Sequence, residues 1–197
     1  MLKRIIAILS LCLSLQGCLF VAGAAIGVGV VGAVVYDRRT AQETQQDKVI
    51  TEQIQLKLNN APEIKEQSKI VVASFYDVVL LAGTVPNPAM KEQAYALAKT
   101  VPGIKKLYNE IIVEGSASGL SSFNDSLITT KIKTQLVGDN DLNSSQIQVV
   151  TVNGIVYLMG RVTPRQADIA VDIVQHISGV TKVVKVFEYP NNQHEWA

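Results

Sequence analysis

The chain writes one pattern twice. DKVITEQIQLKL (47–58) is matched by DSLITTKIKTQL (125–136), VVLLAGTV (78–85) by IVYLMGRV (155–162), and VPGIKKLYNEI (101–111) by ISGVTKVVKVF (177–187). The offsets are 78, 77 and 76 residues, so the register slips by a single residue at each step. Self-similarity of this kind requires two copies of one structural unit rather than a single undivided domain. EGSASGLSSFN (114–124) lies between the copies and reads as a Gly/Ser-rich linker.

Each copy opens with a helix, because Ile50, Ile54 and Leu58, and again Ile128, Ile132 and Leu136, recur every four residues. Asp47 and Asp125 stand where a helix N-cap is expected. Two strands follow. In the second copy they are SQIQVVTV and IVYLMGRV, joined by Asn153-Gly154, the favoured two-residue hairpin turn. The first copy has Tyr76-Asp77 there, which predicts a turn of different construction. Asn87-Pro88 and Thr163-Pro164 each place a capping residue before proline, so a second helix starts at each. A last strand follows Gly103 and Gly179. The order is α-β-β-α-β. The expected fold class is α+β: two tandem modules, each a small mixed sheet with two helices on one face.

The N-terminus has a different character. Lys3 and Arg4 precede an apolar run from Ile5 to Leu15, the length of a secretory signal and too short to cross a bilayer. LQGC (15–18) follows, and it resembles the lipobox of bacterial lipoproteins. That resemblance implies cleavage between Gly17 and Cys18 and a lipid on Cys18, the only cofactor-like group expected. Leu19 rather than Asp after Cys18 implies sorting to the outer membrane. Cys12 departs with the signal, so the mature chain keeps no thiol for a disulfide, a metal or a nucleophile. Gly27 to Gly32 spell G-x-G-x-x-G, but a nucleotide-binding turn needs a preceding strand for which there is no room. Leu19 to Tyr36 is free of charge and holds Gly23 and Gly27 at the spacing that packs helices in lipid. A second span is redundant beside a lipid anchor, so this segment is expected to lie on or dip into the leaflet.

The helix, the strand ending in L-x-G with its following x-V, and the helix ending before x-x-G-[VI] resemble the BON domain. Two such units behind a lipobox, the second opening with NDSLITTK, are similar to the dual BON-domain lipoproteins of Gram-negative outer membranes. The expected organisation is a signal peptide (1–17), a lipidated Gly-rich tether (18–45), BON domain 1 (46–114), a linker (115–123), BON domain 2 (124–190) and a tail (191–197). The resemblance implies a non-enzymatic protein on the periplasmic face of the outer membrane. It would bind anionic phospholipid (phosphatidylglycerol, cardiolipin) through the second domain and support envelope integrity. It also implies links to the outer-membrane protein assembly machinery and to the division site. The alternative is a protein-interaction adaptor that docks that machinery or the cell wall, with lipid contact incidental.

Composition narrows the functions. Of 18 Lys and Arg, two leave with the signal, so 16 face 17 Asp and Glu, and no basic stripe suited to nucleic acid remains. No catalytic cluster is visible. His176 falls on a helix beside Ile173 and Ile177, and His194 and Trp196 lie in the tail. Asp168 and Asp172 could share a metal ion across one helical turn, but no further ligand lies near in sequence, so a solvated face is expected and no metal.

At 100° per residue, with Ile128 at zero, Ile132 and Leu136 form the core stripe of the second repeat's first helix. Leu127, Thr130, Lys131 and Thr134 fall on the far side. An apolar side chain beside hydroxyls and a cation suits a lipid interface, where the apolar group inserts and the lysine meets a phosphate. Leu127 could instead cover the first domain or the linker. The family places Trp where this chain has Leu127. Between 124 and 190 six basic and six acidic residues balance, so any electrostatic attraction is local. In the first repeat Val49 matches Leu127, while Glu52 and Gln53 replace Thr130 and Lys131. Glu52 disfavours anionic lipid there, which leaves the first domain for packing or a protein partner.

Overall fold

The computed structural model describes residues 39–114 and 121–190. Gly17, Cys18, the glycine run, His194 and Trp196 lie outside them. The first repeat consists of α1 (Ala41–Asn59), α2 (Pro62–Gln67), β1 (Lys69–Phe75), β2 (Val78–Val85), α3 (Pro88–Lys99) and β3 (Lys106–Val113). The second consists of α4 (Ser121–Gly138), a 3₁₀ turn (Ser144–Gln146), β4 (Ile147–Val152), β5 (Ile155–Arg161), α5 (Pro164–Gln175) and β6 (Lys182–Glu188). The fold is α+β, with two three-stranded mixed sheets. In each, the second strand is central, antiparallel to the first and parallel to the third. A parallel pair needs a crossover, and α3 and α5 supply it.

Local sequence explains most boundaries. Thr40 caps α1 through a capping box with Glu43, so this helix begins at Ala41, within the stretch assigned to the tether. Likewise α4 begins at Ser121, inside the expected linker. Asn87 caps α3 by accepting the Met90 amide, and Thr163 caps α5 in a box with Gln166; both have proline at the first helical position. Six residues led by Pro62 make α2, too short for periodicity to reveal, and they bury Ile64.

Asp47 and Asp125 do not cap their helices. Each lies inside the helix and turns its carboxylate onto the hairpin below. Asp47 accepts the amides of Tyr76 and Asp77, and Asp125 those of Asn153 and Gly154. The two hairpin turns also prove alike. Tyr76 and Asp77 have φ of 54° and 64°, Asn153 and Gly154 52° and 75°, so both central residues are left-handed in each. Tyr76-Asp77 adopts this conformation without glycine because Asp47 secures both amides.

Ile50, Ile54 and Leu58 pack with Val79 and Leu81 in one core, and Ile128, Ile132 and Leu136 with Val156 and Leu158 in another. Yet every residue of β2 is buried, so its opposite face is covered as well. The cover is the other repeat. Val78, Leu80 and Ala82 share a third core with Val150, Tyr157 and Met159. The helix-free faces of the sheets therefore pack on each other, giving four layers: helices, sheet, sheet, helices. The two sheets run in opposite directions across this interface. The Arg161 guanidinium at the end of β5 lies 4.4 Å over the Tyr76 ring before β2, and Lys106 at the start of β3 reaches Glu188 at the end of β6 at 3.5 Å.

The L-x-G motif has a steric cause. A Cβ on Gly83 would collide with the carbonyl oxygen of Lys69, and one on Gly160 with that of Gln146. The central strand and its antiparallel neighbour approach too closely there for any side chain.

Candidate functional site

Helix α4 presents two flanks outside its core stripe. One carries Leu127 and Lys131. Leu127 is 46% exposed, because the helix turns it away from Ile128 and Ile132. It stands with Lys131 at a cavity of about 620 Å³, which is also bordered by the Asn153-Gly154 turn and by Ser178, Gly179 and Thr181. Thr84, Ile112 and Glu114 of the first repeat close its far side.

The walls are tied together. Asp125 holds Asn153 and Gly154 at 2.8 Å each, and the Gly154 carbonyl accepts the Thr181 amide at 2.9 Å. Gly179 lies at φ 97°, and a Cβ there would meet the Ile128 side chain at 2.9 Å. The motif glycine before the final strand thus lets Ile128 pack on backbone, which draws the loop against α4. Such a frame holds Leu127 and Lys131 at fixed spacing over the recess.

Thr130 and Thr134 are exposed on the adjoining surface but do not border the cavity. Their hydroxyls donate to the carbonyls of Ser126 and Thr130, at 2.9 and 3.0 Å. The structure therefore brings together Leu127 and Lys131 of the four residues singled out, and sets the two threonines beside them.

The first repeat has a matching recess, of about 440 Å³, bordered by Val49, Gln53 and Gly103. Three more glutamines, Gln42, Gln45 and Gln46, line it, and no charged residue does. Glu52 is not on this side; it borders a groove on the opposite flank of α1. At this place Lys131 of the second repeat stands where the first has Gln53, and the second recess is also bordered by Asp125 and Glu114.

The remaining candidates take ordinary surface roles. His176 ends α5, is exposed, and its Nδ1 lies 2.6 Å from the Asp172 carbonyl. Asp168 lies 3.8 Å from Lys185, and Asp172 accepts from Gln175 at 2.8 Å. Among the described residues no three His, Cys, Asp or Glu side chains converge, and no helix is long and apolar enough to cross a membrane.

Sequence reasoning missed an aromatic and guanidinium cluster at the end of β1, which Arg161 of the second repeat joins. Phe75 and Tyr76 meet edge to face at 4.9 Å, with Arg39 4.2 Å over Phe75 and Arg161 over Tyr76. Arg39 also pairs with Asp47 at 2.7 Å.

A duplicated α-β-β-α-β unit with these glycines defines a class of small two-domain proteins. A model of the BON domain matches residues 46–115 and 124–191, and the chain belongs to the BON-domain family. The outer membrane lipoprotein DolP of Haemophilus influenzae is 37% identical over 189 residues, 95% of this chain and 96% of that protein. The 21 kDa hemolysin of Actinobacillus pleuropneumoniae is 35% identical over 154 residues, 78% of this chain and 79% of that one. Osmotically-inducible protein Y of Escherichia coli is 32% identical over 142 residues, 70% and 69% of the two chains.

Proposed function

We propose that this protein is an outer-membrane lipoprotein, anchored through Cys18 and facing the periplasm, whose second BON domain binds anionic phospholipid and so supports envelope integrity. No step of chemistry is assigned to it; its work is binding. The observation that carries the reading is the pairing of exposed Leu127 with Lys131 at one mouth, where the first repeat offers Val49 and neutral Gln53. An apolar side chain gains by entering the acyl boundary, and a lysine beside it gains by meeting a phosphate. The name carried by the 37% identical relative, an outer membrane lipoprotein, supports the location, as does the lipobox-like LQGC.

The test is co-sedimentation of a fragment beginning at Asp37, which keeps the Thr40 cap and Arg39 but carries no lipid. It should pellet with phosphatidylglycerol vesicles and stay in solution with phosphatidylcholine vesicles. Leu127→Glu should abolish pelleting, while Val49→Glu should leave it intact. Pelleting that survives Leu127→Glu would overturn the reading and favour an adaptor that docks a protein of the assembly machinery or the cell wall.

A further inference from the structure

A groove of about 710 Å³ runs along the side of the four-layer stack, between α1 and α4. It lies on the flank of α4 opposite Leu127, and Lys133, Leu136 and Val137 border it there. Val72, Ala73, Ser74 and Phe75, four consecutive residues of β1, border it too, with Ile147 and Gln148 of β4. Side chains of a strand alternate between its faces, so a surface that meets four in a row meets the backbone edge. Both β1 and β4 are edge strands, and among the described residues no backbone hydrogen bond joins β1 to any strand but β2.

The four edges of the two sheets are not treated alike. β3 carries Lys106 and Glu110, and β6 carries Lys182, Lys185 and Glu188. Charges of this kind blunt an edge against pairing with another chain. β4 carries none, and β1 has only Lys69 at its start. Neither contains proline, and Val71 is 37% exposed. The two unguarded edges are the two that border the groove.

Charge indicates what the groove would receive. Arg39 is paired with Asp47, and Lys48 lies 3.9 Å from Glu52. Lys133 is exposed and has no carboxylate within ion-pair distance among the described residues. We infer that β1 accepts an extended segment of a partner protein as an added strand, with alternate apolar side chains directed toward Val72 and Val137 and an acidic side chain at Lys133. Main-chain pairing supplies affinity in such a mode, and the alternate side chains supply selectivity.

The test uses the mature lipoprotein in nanodiscs of neutral lipid and, as probe, a blocked heptapeptide of alternating Val and Thr with a central Glu. Amide exchange should slow about tenfold in β1 and not in β3. The same peptide N-methylated at alternate residues should not protect β1, and Lys133→Glu should weaken binding about tenfold. Equal binding by the N-methylated peptide, no protection of β1, or no effect of Lys133→Glu would overturn the proposal. Protection of β1 by phosphatidylglycerol in place of the peptide would give the groove to lipid. A dimer without peptide, protected at β1, would give it to a second copy of this chain.

Discussion

The carboxylate of Asp125 in α4 accepts the backbone amide of Gly154, second residue of the β4–β5 turn, at 2.8 Å. The same bond occurs 78 residues earlier, where Asp47 accepts the amide of Asp77 at 3.0 Å. Each repeat therefore ties its first helix to its hairpin through one acidic residue. The two aspartates are not equally committed. Asp47 is 4% exposed and also accepts from Ser74 at 2.6 Å and from Arg39 at 2.7 Å.

Removal of Asp47 should accordingly cost more than removal of Asp125. Asp125→Ala leaves two partly buried amides without an acceptor, which costs about 1–3 kcal/mol. Asp47→Ala also breaks its ion pair with Arg39 and its bond from Ser74, raising the cost to about 3–5 kcal/mol. Urea unfolding of the fragment from Asp37 measures both. Equal costs would show that the Arg39 pair adds nothing beyond the turn amides.

Gly160→Ala should be more damaging than its size suggests. The added methyl has nowhere to go but into the Gln146 carbonyl, so β4 must part from β5 at the strand that builds two cores. Overpacking of this kind costs about 1–3 kcal/mol or more. Gly138→Ala, in α4 with open space at its Cβ, should be neutral or stabilising by comparison. The urea midpoints of the two variants give the answer, and a Gly160→Ala midpoint equal to the parent's would refute the close approach.

The repeat made much of this legible, because two divergent copies reveal which letters the fold keeps. The isoleucine stripes, the Asn-Pro and Thr-Pro helix starts and the final strands all follow from local spacing. What local spacing could not show was the cap at Thr40, seven residues upstream of a helix stripe that starts visibly only at Asp47. Nor could it show that Asp47 and Asp125 act across some thirty residues on turn amides. The sheet-to-sheet packing did leave a trace: VVLLAGTV and IVYLMGRV run apolar without alternation, as strands covered on both faces do. At the candidate site, a helix wheel suffices to expose Leu127. The recess beneath it draws on Thr84 and Ile112 of the other repeat, which no wheel of α4 contains.

Lys131→Gln removes from the second repeat the cation that the first lacks at this place. One lysine near an anionic surface contributes about 1 kcal/mol, so affinity for phosphatidylglycerol vesicles should fall about fivefold at low salt. The difference between parent and variant should close as salt rises, because screening removes the contribution that the variant lacks. Vesicle titrations at two salt concentrations decide this. A loss independent of salt would mean that Lys131 shapes the recess rather than attracting the headgroup.

Tyr157 gives the packed sheets a dependence on pH. It is 2% exposed, between the two sheets, and burial first, then the negative charge of Glu110 in the first repeat, raises its pKa from 10.0 to about 12. A raised phenol pKa means that the folded chain disfavours the phenolate. Below pH 10 the group is neutral whether the chain is folded or not, and its contribution to stability is complete. Between 10 and about 12 the unfolded chain releases a proton that the folded chain keeps, so stability falls as pH rises through that window. The loss is on the order of 3 kcal/mol, at about 1.4 kcal/mol per pKa unit. Tyr157→Phe should flatten unfolding free energy over this range, and Glu110→Gln should bring the upper end of the window down toward the ordinary tyrosine value by the smaller share. Because Glu110 belongs to the other repeat, that second shift also reports whether the sheets stay packed in solution. A Tyr157→Phe protein that still loses the same stability between pH 10 and 12 would place the alkaline sensitivity elsewhere.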